Sequence, residues 1–180
     1  MLLLVDNGSI YTKNLAEFLA EKKINFETKT PDLLDLGSLS NYDAIILSGR
    51  RKNEQKTNQV NSKVIKHSIQ NNKKLLGICY GAEILALTLG GTIRKIDTLQ
   101  KGHEEIEMLQ ENMLCHNKIK VFESHSYEIS KLPATLSCMG KSKNCKYEII
   151  QYSDKPIFGT QFHPELTKDG NDLIEKFCSL

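Results

Sequence analysis

Residues 75–81 read Leu75-Leu76-Gly77-Ile78-Cys79-Tyr80-Gly81, and a helix-type run, Ala82-Glu83-Ile84-Leu85-Ala86-Leu87, follows without a break. A buried strand that must become a helix this abruptly leaves room only for a sharp bend. The residue at the bend is a cysteine with a glycine two positions away on either side. Such a bend strains the backbone and excludes side chains at Gly77 and Gly81, which is the pattern of a nucleophile elbow. The helix that follows aims its N-terminal amides and the positive end of its dipole at the sulfur, which favours the thiolate. Far downstream, Gly159-Thr160-Gln161-Phe162-His163-Pro164-Glu165 supplies a base and a carboxylate two residues apart.

The rest of the chain agrees with a strand-and-helix frame around that elbow. Leu2–Val5, Ala44–Leu47 and Lys74–Cys79 are continuous apolar runs, as expected of strands covered on both faces of a parallel sheet, and Ile24–Thr28 is a further strand. Between them, Thr12–Lys22 puts Leu15, Phe18 and Leu19 on one helical face, and Val60–Gln70 does the same with Val60, Val64 and Ile65. Alternation of this kind predicts an α/β fold: a doubly wound, open, mostly parallel sheet with flanking helices. After Gly90-Gly91 the pattern changes to a β-rich extension with strands at Thr92–Ile96, Glu104–Leu109, Ile119–Phe122, Thr135–Met139, Tyr147–Tyr152 and Ile157–Phe162. A closing helix, Asp169–Leu180, buries Leu173, Ile174 and Phe177. No linker or repeat interrupts the chain, so residues 1–180 are expected to form one domain.

Composition narrows the function classes. The 180 residues carry a net charge of only +2, without blocks of charge, so nothing favours nucleic acid. The Met1–Val5 start is too short for a signal-peptide core and no membrane segment is expected, which points to a cytoplasmic protein. Five cysteines, an odd number without framework spacing, suit a reducing compartment. The adjacent Cys115-His116 and the absence of CxxC or HExxH spacing argue against a metal site.

In an open parallel sheet, ligands bind beyond the carboxyl ends of the strands. Cys79, the Ser48-Gly49 loop and Asp6-Asn7-Gly8 all follow strands there. The expected roles are Cys79 as nucleophile on a carbonyl, His163 as base and Glu165 as the group that orients the imidazole. The amides of Tyr80 and Gly49 would receive the oxyanion. His125 is not expected to be a second base, since one suffices and His163 has the acid. His67 and His116 are expected at the surface, and Asp6 and Asn7 are expected to organise loops.

At these residues the chain resembles the class I glutamine amidotransferases. The likeness runs through Val5-Asp6-Asn7-Gly8-Ser9, Leu47-Ser48-Gly49, Gly77–Gly81, Gly90-Gly91, Ser124-His125-Ser126 and Gly159–Glu165. The resemblance implies a Cys–His–Glu triad that hydrolyses L-glutamine to glutamate and ammonia through a thioester, with no cofactor. Because the chain ends soon after the triad, it also implies a free-standing glutaminase subunit whose ammonia passes to a separate synthetase or synthase subunit. Cys79-Tyr80-Gly81, the stretch Lys101–Ile106 and the tail Gly170–Phe177 resemble the glutaminase part of GMP synthase. The opening Val5–Leu15 and His125-Ser126 look closer to the subunit of anthranilate or aminodeoxychorismate synthase. The GMP synthase type is favoured.

Two departures bear on specificity. Where the family usually has Ser-Gly-Gly-Pro, this chain has Ser48-Gly49-Arg50-Arg51, either a shifted oxyanion loop or a solvated one. Where the family generally carries a substrate-holding glutamine, this chain has Glu83. Glu83, Arg50 and Ser126 are therefore the candidate substrate-binding residues. The change leaves room for a hydrolase of another γ-glutamyl amide, or for a non-catalytic regulatory subunit of the same fold.

Overall fold

The computed structural model describes all residues from Met1 to Leu180. In chain order it forms β1 (Leu2–Val5), α1 (Thr12–Glu21), β2 (Phe26–Lys29), β3 (Ala44–Leu47), α2 (Gln55–Gln70), β4 (Lys74–Ile78), α3 (Tyr80–Thr88), β5 (Thr92–Met108), β6 (Ile119–Lys131), β7 (Leu136–Lys141), β8 (Ile149–Tyr152), β9 (Ile157–Thr160) and α4 (Lys168–Ser179). Short 3₁₀ turns lie at Leu36–Asn41 and Pro164–Leu166.

The sheet order is β2-β1-β3-β4-β9-β8-β7-β5-β6, with the first five strands parallel and the remainder antiparallel. Side-chain alternation then sorts the apolar runs onto two faces. Leu2, Leu4, Ala44, Ile46, Leu76 and Ile78 pack with Leu15, Phe18 and Leu19 of α1 and Leu173, Ile174 and Phe177 of α4. Leu3, Val5, Ile45, Leu47 and Leu75 face the other way, against Val64 and Ile65 of α2 and Ile84, Leu85 and Ala86 of α3. Each such fully buried aliphatic side chain contributes about 1.5–3 kcal/mol by leaving water, so both faces of the sheet are strongly specified. This is the doubly wound α/β arrangement with a β-rich flank.

The second half differs in detail from the sequence pattern. Thr92–Ile96 and Glu104–Leu109 are parts of one strand, β5, which irregular pairing interrupts between Lys95 and Gln100. That bulge breaks the alternation that marks a strand in sequence. Likewise β6 runs on past Phe122 to Lys131, so Ser124-His125-Ser126 lies within a strand rather than in a turn. Helix α2 begins at Gln55, where a polar first turn hides it from an apolar-stripe reading. β6 bonds to β5 along most of its length, yet Phe122 also pairs with His163 in an isolated antiparallel bridge. That bridge brings the β-rich flank back against the carboxyl ends of β4 and β9.

Candidate active site

The elbow is built as its glycines require. Cys79 sits between β4 and α3 at φ +52°, ψ −104°, a left-handed conformation that L side chains seldom adopt. Its amide donates to the Thr160 carbonyl at 2.7 Å, which clamps the bend to β9. A Cβ on Gly77 would lie 2.4 Å from the Gly81 backbone, and one on Gly81 would lie 2.4 Å from the Leu47 carbonyl oxygen. No side chain fits at either place, so the glycines are what allows a cysteine to occupy the turn.

His163 leaves the same end of the neighbouring strand. Ile78 is paired with Thr160, so the residues just beyond each, Cys79 on one strand and the segment to His163 on the other, emerge side by side. His163 Nδ1 lies 2.8 Å from Glu165 Oε1, with both side chains almost wholly buried. Pro164 opens a 3₁₀ turn there, and the tight turn folds Glu165 back onto the ring. The Tyr11 ring meets the imidazole edge-on, with centroids 4.6 Å apart, and the Tyr11 hydroxyl donates to Ser124 Oγ at 3.3 Å. Gly49 lies beneath the ring: a Cβ there would come within 3.0 Å of His163 Cε1. Asn7 holds that loop, its amide donating to Ser48 Oγ at 2.9 Å and its Nδ2 to the Ser48 carbonyl at 3.0 Å. Asp6 accepts from the Gly8 amide and the Thr12 hydroxyl, so both residues organise loops at this rim.

A cleft of about 300 Å³ opens beside the sulfur, lined by Cys79, Tyr80, Glu83, Arg50, Ser126 and Tyr127 among others. Arg50 is not part of a solvated loop. Its guanidinium stacks on the Tyr80 ring at 4.0 Å and donates to Asn53 and Asn58, each at 2.8 Å. Only its neighbours Arg51 and Lys52 stand free in solvent. Tyr80 donates to the same Asn58 oxygen at 2.8 Å, and burial pushes its phenol up to about 12. Glu83 reaches the cleft with 4% of its surface exposed. Burial raises its carboxyl, opposed by Gln161, whose side-chain amide donates to it at 3.4 Å, and by the charges of Arg50 and His125. His125 Nδ1 donates to the Tyr127 carbonyl at 2.8 Å, and its Nε2 faces the buried Glu123 carboxyl at 3.2 Å without a hydrogen bond. His116 is exposed, whereas His67 is half-buried rather than on the surface.

The charge state of the sulfur departs from the sequence expectation. The adjacent Tyr80 amide at the helix terminus favours the thiolate. Burial outweighs this, and the carboxyls of Glu83, Glu123 and Glu165 add to it, so the thiol is held well above its ordinary range. No three His, Cys, Asp or Glu side chains gather as a metal-ligand group. Sequence reasoning missed Gln161, Tyr11 and Asn58 as parts of this site. Gln161 stands inside the Gly159–Glu165 motif and could have been found there. Tyr11 and Asn58 carry no local signal.

Comparison with known proteins places this geometry. Residues 3–179 match the model of the family described as glutamine amidotransferase class-I. The chain is 32% identical to a subunit of GMP synthase [glutamine-hydrolyzing] from Pyrococcus furiosus, over 100% of this chain and 98% of that one. It is 31% identical to the protein of the same name from Pyrococcus abyssi, with the same coverage. A crystal structure described as a GMP synthase subunit from Thermoplasma acidophilum superposes with a TM-score of 0.87 at 28% identity, covering 99% of this chain and 92% of that one. A glutamine amidotransferase from Thermotoga maritima shares the fold, with a TM-score of 0.77 at 20% identity over 97% and 80% of the two chains. The chain belongs to the class-I glutamine amidotransferases.

Proposed function

We propose that this chain is the glutaminase subunit of a GMP-synthase-type enzyme, hydrolysing L-glutamine and delivering ammonia to a separate synthetase subunit. The observation that carries this reading is the strained Cys79 at the end of β4, beside a buried His163–Glu165 pair at the end of the adjoining strand. Its full-length likeness to proteins named as glutamine-hydrolysing GMP synthase subunits supports the partner class. Five free thiols are in keeping with a reducing, cytoplasmic setting.

The reaction follows from these roles. The Cys79 thiol gives its proton to His163, and the sulfur attacks the side-chain amide carbon of glutamine. Negative charge then grows on the former carbonyl oxygen, within reach of the Tyr80 and Gly49 amides. As the tetrahedral species collapses, the imidazolium returns the proton to the departing nitrogen. Ammonia leaves and a thioester remains on Cys79. Water, deprotonated by the same imidazole, attacks the thioester; the C–S bond breaks, glutamate is released, and the imidazolium returns its proton to the Cys79 sulfur. Glu165 stabilises the imidazolium and fixes which nitrogen faces the substrate. Burial and the neighbouring carboxyls raise the Cys79 thiol, so the resting sulfur is held as the thiol.

Within the cleft, Arg50 is suited to an α-carboxylate, Glu83 to an α-ammonium group and Ser126 to the substrate's backbone end. The buried Glu83 also favours a second reading, in which the amide nitrogen carries a cationic amine, as in a γ-glutamyl amine. The experiment is mass spectrometry after treatment with a glutamine-like chloroketone, with ammonia release from glutamine and from γ-glutamyl amines measured with and without the synthetase. Labelling confined to Cys79 and ammonia from glutamine are expected. Labelling elsewhere, or no turnover under either condition, would end this reading, and turnover of the γ-glutamyl amines alone would establish the second.

A further inference from the structure

Behind the Ser124–Tyr127 wall of the cleft lies a buried group of titratable side chains that the reaction above does not use. Glu123 and His125 project from the same face of β6, two residues apart, and Glu148 enters from the connection leading into β8. Their exposures are 1%, 4% and 0%. His125 Nε2 stands 3.2 Å from Glu123 Oε2, and the charge of Glu123 acts on the neighbouring Glu148 carboxyl. His125 Nε2 and all four carboxyl oxygens are buried without a hydrogen-bond partner.

The hydrogen-bonding inventory counts the protons. The Tyr127 carbonyl can only accept, so His125 Nδ1 carries a hydrogen. Nε2 and the four carboxyl oxygens have no other partner, so one proton between Nε2 and Glu123 and a second on the neighbouring carboxyls is what this buried group lacks. Two carboxylates and a neutral imidazole with two added protons carry no net charge. That is the state a dry interior favours, because an unpaired charge there loses its hydration. Other groups face this one from every side. Glu104 lies on β5, Ser142 and Cys145 on the β7–β8 connection, and Glu128, paired with Arg94, further along β6, while Cys79 and Glu83 look across from the elbow and α3.

We propose that Glu123, His125 and Glu148 hold two protons in common and so keep the cleft wall neutral beside Cys79, acting as positioning residues for the thiol. Loss of one proton leaves an uncompensated anion at Glu123, and that anion opposes the thiolate. Burial pushes Glu123 up to about 7, and burial with the charge of the neighbouring Glu123 also raises Glu148, so the loss falls at and above neutrality. Glu123 already stands among the groups that raise the Cys79 thiol. The arrangement sets an upper pH limit on sulfur reactivity. It deepens the reading of Cys79 as nucleophile and rests on it.

The test is the rate of Cys79 alkylation by iodoacetamide, followed by mass spectrometry between pH 6 and pH 9.5, in the full chain and in its Glu148→Gln variant. In the unaltered protein the logarithm of the rate should rise with pH at a slope below one above neutrality. Glu148→Gln removes the shared carboxyl proton, and the slope should return to one. The variant should match the parent at pH 6 and react about tenfold faster at pH 9, one pKa unit of thiol being a factor of ten. The infrared band of a protonated carboxyl should be present at pH 6 and lost in both Glu123→Gln and Glu148→Gln. A variant-to-parent ratio that does not change with pH, as a merely structural role would give, overturns the proposal. So does a slope of one in the parent, or the absence of the band. If a variant does not fold, the parent's slope and band decide. Alkylation needs no glutamine, so a normal titration without ammonia release sinks the glutaminase reading alone, and full ammonia release with a slope of one sinks only this proposal.

Discussion

Two glutamate–histidine pairs occupy the two halves of this site, and they share residue types, a separation of two positions and near-complete burial. They differ in which ring nitrogen is committed. In His163–Glu165 the carboxylate takes Nδ1, and Nε2 is left for a reacting group. In Glu123–His125 the Tyr127 carbonyl takes Nδ1, while Nε2 is buried facing the Glu123 carboxyl at 3.2 Å, so neither nitrogen is left for a reacting group. Backbone geometry is the origin of the difference. A proline-led 3₁₀ turn folds Glu165 back on the ring that precedes it, whereas period-two alternation in β6 sets Glu123 and His125 in a row facing inward. The same two residue types thus give the proposed base in one place and the proposed neutral wall in the other.

The largest effect separates the two histidines directly. His163→Asn should lower kcat for ammonia release by on the order of 10⁴-fold, since it removes both the acceptor of the thiol proton and the donor to ammonia. His125→Asn should cost only about tenfold. Equal losses would erase the distinction drawn from the ring nitrogens. Next comes the orienting acid. Glu165→Gln keeps the shape but favours the wrong tautomer, and should cost about 10³-fold in kcat with little change in KM. A rise in KM alone would assign Glu165 to substrate binding instead.

The two halves also differ in how firmly their backbones are locked. Gly77→Ala forces a Cβ to within 2.4 Å of backbone atoms, which cannot yield as a flexible side chain would. It should destabilise the fold by about 3 kcal/mol or more in urea titrations and displace Cys79. Gly102, paired with Glu123, has φ +138° but no atom within 4 Å of an added Cβ. Gly102→Ala should therefore cost only the backbone strain, about 1–2 kcal/mol. Comparable costs at the two glycines would mean that the β-rich flank is as tightly built as the elbow.

That contrast in local constraint explains what could be read from the chain itself. The elbow is written in consecutive residues, because Gly77 and Gly81 each have one steric reason to be glycine, and the Phe162-His163-Pro164-Glu165 turn is equally local. The parallel half of the sheet is legible from its continuous apolar runs. The wall pair is not legible as a pair. Glu123 also stands two residues from His125, but nothing in the sequence says that Tyr127 takes one ring nitrogen while Glu123 faces the other, or that Glu148 arrives from the β7–β8 connection. The neutral state of Cys79 is hidden for the same reason: helix α3 supplies the amide that favours the thiolate, while the opposing carboxyls come from three separate segments of the chain. For Arg50 the sequence leaves a solvated loop and a substrate-binding role both open, and only the fold, in which α2 brings Asn58 to its guanidinium, decides against the solvated loop.

The smallest effect concerns stability and probes the wall pair without any reaction. Glu123 and Glu148 keep their protons in the folded protein at pH values where the unfolded chain has lost them, because burial raises both. The native state then binds more protons than the unfolded state, so stability must fall as pH rises from about 4.5, the ordinary carboxyl range, through about 7. The stability is fully present below the unfolded value and is lost as pH climbs through the folded one. Glu148→Gln removes one of the two raised groups. Its stability should therefore decline less steeply over this interval, gaining on the parent by more than about 1 kcal/mol between pH 5 and pH 8, since one pKa unit corresponds to about 1.4 kcal/mol. Urea titrations at the two pH values measure the difference. A Glu148→Gln variant whose stability tracked the parent across this window would mean that the wall carboxyls ionise freely, and the neutral wall would be lost.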